Sequence, residues 1–146
     1  MKKILFPIDF SCNSDIIVKK ALEFIPDIEA LYFLYVVPLS VKELEDFLTE
    51  DYTKSAKEIA DNKMKTFIKN LNLPAKYKVD YAIADGDPAR VIIDLANTGT
   101  FDAIVLGHRG YSYVEDFFIG SVTLKVISSV NIPTIVFKKS RKKDCK

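Results

Sequence analysis

The chain has 146 residues, 49% of them apolar and 28% charged, with a formal net charge of +1. That length suits one domain with a well-filled core, and near-neutrality leaves no global field to gather nucleic acid or an anionic membrane. No stretch reaches the roughly 20 apolar residues of a membrane span, and the lone histidine, His108, together with the widely separated Cys12 and Cys145, argues against a zinc site.

The opening MKKILFPIDFS lacks a long apolar run and a small-residue cleavage site. It therefore reads as the start of a folded, reduced, cytoplasmic protein and not as a signal peptide. Residues 3–8, KILFPI, predict a buried strand. SDIIVKKALEFI then predicts a helix, with Ile17, Ala21, Leu22 and Ile25 at helical spacing and Asn13 or Ser14 as N-cap. Residues 30–37, ALYFLYVV, predict a second strand ended by Pro38. From 41 to about 70 the period is helical, with EDYTK a candidate interruption that would give a short helix and a long one. Its apolar stripe is Leu44, Leu48, Ala56, Ile59, Ala60, Phe67, Ile68 and Leu71.

LNLPAK is a turn, residues 77–84 a third strand, and DGDPARVIIDLANTG a loop and helix. Pro88 suits the first helical turn, and Gly99 suits the helix end. FDAIVLG is a fourth strand, SVTLKVISSV a short helix stopped by Pro133, and TIVFKK a fifth strand. The domain is expected to span residues 1–139. The charged end SRKKDCK, residues 140–146, has nothing to bury, and a nucleic-acid role for it is not favoured.

Alternating strands and helices imply an open parallel α/β sheet with helices on both faces. Ligands of such sheets bind outside the carboxyl ends of the strands, at the point where strand order reverses. Three loops with binding chemistry fall at strand ends: PIDFS, DGDPA and GHRG…GS. The last holds Gly107, Gly110 and Gly120, three of the chain's five glycines, and Ser121 follows at a helix start. Glycine permits positive φ and lets a ligand touch the main chain. A helix N-terminus offers unpaired N–H groups and a positive dipole end to phosphate. The spacing fits this reading and equally a tight turn with a close helix–sheet contact. Neither a P-loop nor GxGxxG is present.

The pattern Gly107-x2-Gly110-x9-Gly120-Ser121 resembles the G-x2-G-x9-G-[S/T] motif of the universal stress protein family, in its ATP-binding branch. KKILFPIDFS, GDPARVIIDLA, FDAIVLGHRG and GSVTLKVISSVNIPTIVF are similar to further parts of that family, with residues 38–76 the least similar. The resemblance implies a Rossmann-like sheet of five parallel strands in the order 3-2-1-4-5, and a homodimer through the last strand. It implies ATP as ligand, with or without magnesium. Pro7 and Asp9 match the first-strand turn near the nucleoside, and Val36 matches a backbone contact to adenine. Leu106 and Gly107 match the strand end beside ribose and phosphates; Gly110, Gly120, Ser121 and Val122 match the phosphate cradle. YSYVEDFFI, between the glycines, is more aromatic than the usual family loop, and its Glu115 and Asp116 must point away from phosphates.

Asp9 is open to several roles: base, metal ligand, ribose acceptor, or an acid capping the first helix. His108 reads as solvent-facing, Arg109 as either a phosphate partner or a surface residue, and Cys12 as structural or incidental. The expected function is a nucleotide-dependent regulatory module with an unidentified protein partner. The alternative is a slow ATPase, or a protein phosphorylating itself at Ser121. No residue is assigned a catalytic role or a metal, because no base, arginine finger or metal cluster is evident.

Overall fold

In β1 (Lys2–Pro7), Ile4, Leu5 and Phe6 are each at most 1% exposed. Successive strand side chains point to opposite faces, so three consecutive buried residues demand cover on both sides, the condition of a parallel sheet. The computed structural model describes residues 2–11, 14–38, 50–107 and 121–138 and supplies that cover. After β1 come α1 (Ser14–Phe24), β2 (Ile28–Pro38), α2 (Glu50–Leu71), β3 (Lys78–Gly86), α3 (Pro88–Ala96), β4 (Ala103–Gly107), α4 (Ser121–Ser129) and β5 (Thr134–Phe137). The five strands form one parallel sheet in the order β3-β2-β1-β4-β5, the expected Rossmann-like arrangement.

Alternation sorts the core into two layers. Ile4, Phe6, Leu31, Phe33 and Val105 pack with Val18 and Ala21 of α1 and Met64 of α2. On the opposite face Leu5, Leu34, Val36, Ile104 and Leu106 pack with Ile92 and Ala96 of α3 and Val126 of α4. Rings link the sheet to its upper end: Phe6 lies 5.5 Å from Phe33, Phe33 5.7 Å from Phe67, and Phe67 6.4 Å from Phe10.

The helical stripe expected over α2 holds at Ala60, Phe67, Ile68 and Leu71 and needs correction at Ile59, while EDYTK, residues 50–54, is the start of the helix and does not break it. Ala60, Met64 and Leu71 are its buried residues, whereas Ile59 is 59% exposed. Ile59 neighbours Ala60 in sequence, about 100° away around the helix, and that rotation carries it off the sheet. Leu44 and Leu48 lie outside the described residues. β2 begins at Ile28, two residues before the predicted strand, because Asp27 at φ 60° turns the chain and Ile28 is already buried. Gly86, at φ 130°, and Gly99, at φ 91°, take positive-φ positions on either side of α3. Asp87 caps α3 by accepting the Arg90 N–H at 3.2 Å, with Pro88 in the first helical turn as expected. No helix among the described residues is long and apolar enough to cross a membrane.

Candidate functional site

β1 has β2 on one side and β4 on the other, so the crossovers diverge from it and open a crevice at the strands' carboxyl ends. Pairing of β1 with β2 finishes at Pro7 opposite Leu34, and the Ile8 N–H adds one more bond to the Leu34 carbonyl at 2.8 Å. Backbone groups in a strand address its two edges alternately. Val36, two residues beyond Leu34, thus presents its N–H and C=O to the same edge, past the end of β1. Its side chain is buried among Leu34, Ile92 and Leu106. What Val36 can offer a ligand is main chain.

Beyond β1 the chain turns sharply. Asp9 Oδ1 accepts the Ser11 N–H at 2.9 Å and lies 3.4 Å from the donating Ser14 hydroxyl. The first contact is a local Asx-type turn, and the second ties that turn to the start of α1. Asp9 therefore orders the connection and still stands at the end of β1. Phe10 adopts φ 62°, a conformation uncommon for an aromatic residue. Its ring is held 4.7 Å from Tyr35 and against Phe67, with the Lys63 ammonium 5.8 Å from its centroid. Burial, followed by the nearby Asp9 charge, raises the pKa of the half-buried Tyr35 hydroxyl. At neutral pH it is a phenol, able both to donate and to accept.

The third wall is the end of β4. Leu106 is buried, and Gly107 opposes Phe137 of β5. Positive φ does not explain this glycine, since among the described residues only Gly86 and Gly99 are glycines with that geometry. Space does: a Cβ on Gly107 would stand 2.7 Å from Ile17 Cδ1 of α1. Opposite, the Thr123 hydroxyl donates to the Gly107 carbonyl at 3.0 Å, bringing the first turn of α4 to the strand end. Ser121 is exposed there and Val122 half-buried.

Pro7, Asp9, Val36, Leu106, Gly107, Ser121 and Val122 all lie at this end of the sheet. Gly110 and Gly120 lie outside the described residues, as do Cys12, His108, Arg109, Glu115, Asp116 and the tail 140–146. Sequence reasoning missed Phe10, Ile17 and Thr123. Each acts through a long-range contact, and only Phe10 carried a local sign, its place between Asp9 and Ser11. No group of three or more His, Cys, Asp or Glu residues suited to a metal occurs among the described residues.

The fold defines an open α/β protein whose strand order reverses at β1, with a topological switch point at the carboxyl ends of its strands. The model of the universal stress protein family matches residues 1–138, and the chain belongs to that family. It is 30% identical, over 94% of its length and 95% of the relative's, to universal stress protein MJ0577 of Methanocaldococcus jannaschii. The solved structure of MJ0577 superposes with a TM-score of 0.80 at 32% identity, covering 97% of this chain and 98% of that one. UspA from Lactobacillus plantarum matches at 25% identity with a TM-score of 0.75, over 94% and 97% of the two chains. A family member from Arabidopsis thaliana, solved with AMP bound, shares the fold at 15% identity and a TM-score of 0.57, over 97% and 94%.

Proposed function

We propose that this protein binds an adenine nucleotide, ATP, at the carboxyl end of its sheet and acts as a nucleotide-dependent regulatory module in a stress response. The observation that supports this most is the convergence of three backbone features on one crevice. These are the β2 edge at Val36, the close-packed strand end at Gly107, and the start of α4 pinned beside it. Such main-chain groups suit a nucleotide. Peptide N–H and C=O at Val36 can read the adenine edge. Helix N-terminal amides of Ser121 and Val122, with the Ser121 hydroxyl, can hold phosphates. Asp9 and Leu106 would flank the ribose, while Gly110 and Gly120 would complete the phosphate cradle. AMP in the Arabidopsis relative is consistent with this reading of the fold.

Holding is favoured over turnover. Backbone amides bind ground-state ATP as well as any transition state, and such uniform binding does not raise the chemical rate. Turnover well below the ~10 per second typical of enzymes is expected. A homodimer through β5 and a further protein partner complete the proposal.

Mass spectrometry of nucleotide released from freshly purified protein, joined to thermal melts with and without ATP, tests it. ATP at ~100 times its dissociation constant should add about 2.7 kcal/mol of stability, and Gly120→Val should abolish the effect. Titrations with and without EDTA report whether magnesium takes part. No shift with ATP, or an unchanged shift in Gly120→Val, refutes the proposed site. Fast phosphate release lost in both Asp9→Asn and Ser121→Ala would favour the ATPase reading instead.

A further inference from the structure

We infer that Thr123 is the positioning residue of this site: its hydroxyl latches the first turn of α4 to the last carbonyl of β4 and so sets where the α4 amides stand. The inference rests on the nucleotide reading above and deepens it. Thr123 is 8% exposed, one of only two buried polar side chains among the described residues. A threonine this close to a helix start ordinarily bonds within its own turn. Here Oγ1 donates instead to Gly107 O, 16 positions back, at 3.0 Å. A buried hydroxyl needs a partner, and so does the strand-end carbonyl it reaches. One bond meets both needs and joins the two ends of the connection spanning 108–120.

Two hydroxyls stand within one helical turn, and burial divides their work. Ser121 is exposed and free to face a ligand, whereas Thr123 is turned into the protein. The N–H groups at a helix start act on an anion only over short range. Their place relative to Gly107 therefore governs how well one phosphate can be met by both elements. Val126, one turn further along, anchors α4 in the core at 0% exposure. With Thr123 it forms a two-point attachment, of which the apolar point sets depth and the polar point sets the position of the helix start.

Thr123→Val keeps the shape and removes the hydroxyl; Thr123→Ser keeps the hydroxyl. In nucleotide-free protein, hydrogen exchange at the amides of Lys125 and Val126, the first bonded within the helix, should speed up in Thr123→Val and stay near wild type in Thr123→Ser. ATP binding should weaken about 5–10-fold in Thr123→Val, the size of one hydrogen bond expressed in a binding constant, and recover in Thr123→Ser. If Thr123→Val does not fold, Thr123→Ala carries the same comparison. Unchanged exchange overturns the latch. Faster exchange with undiminished affinity overturns the positioning role. A wild-type protein that takes up no ATP removes the nucleotide reading and the positioning role with it, while exchange still decides the latch.

Discussion

Gly107→Ala offers a quantitative test of why a glycine ends β4. The new Cβ would lie 2.7 Å from Ile17 Cδ1, where ordinary carbon contacts are about 3.5–4.0 Å. Roughly 1 Å must therefore be found. The obstacle is the tip of a flexible side chain, so the cost should fall near the low end of the ~1–3 kcal/mol typical of overpacking. Ile17, on α1, is half-buried against the core on that face of the sheet. Ile17→Val deletes the obstructing methyl and should cost about 0.5–1 kcal/mol by itself. Combined, the two changes should cost less than their sum by about 1 kcal/mol, because the clash no longer exists. Urea denaturation of all four proteins measures this, provided the slopes agree. In thermal melts 1 kcal/mol corresponds to about 4 °C at this size. Strict additivity would refute the packing explanation. If Gly107→Ala then lost ATP affinity at full stability, the glycine would be there for the ligand.

Two further outcomes follow from the edges of the sheet. The Tyr81 hydroxyl donates to Asp61 at 2.6 Å, and that bond, followed by Lys65, lowers the Asp61 pKa below its ordinary 3.8. A depressed carboxylate stabilises the fold above its unfolded pKa and loses the effect as pH falls through the folded one. The melting gap between wild type and Tyr81→Phe should therefore be steady near neutrality and close below about pH 3.8. An equal gap in strong acid would show that Asp61 is not the partner that matters. At the other edge, Ile104 N–H bonds Pro133 O, so by alternation the Val136 N–H faces outward from β5. Val136→Pro removes that donor and spares the ladder to β4. Light scattering should show a wild-type dimer and a monomeric variant at micromolar concentration; a dimer unchanged by proline would place the interface elsewhere.

The elements themselves were legible in the sequence. KILFPI, FDAIVLG and TIVF are apolar runs too short for helices, and 3.6-residue spacing marks the segments between them. Pro88 and Gly99 punctuated α3 as expected, for local reasons: a missing N–H and a tolerated positive φ. The strand order was not contained in periodicity; it came with the family resemblance and is met by the fold. The same holds for Val36. Its side chain looks like any core valine, and its use lies in a main-chain edge that opens only because β1 stops at Pro7.

Tertiary structure alone decided the rest. The α2 stripe runs through Met64 and not Ile59, because the sheet, not the helix, chooses which apolar flank is covered. Gly107 is explained by Ile17, 90 positions away and on another element, and Thr123 by Gly107, across the connection between β4 and α4. Sequence pattern records what each segment must do to bury its own apolar side. Contacts between segments distant along the chain depend on how the layers register once packed, and that geometry has no local signature.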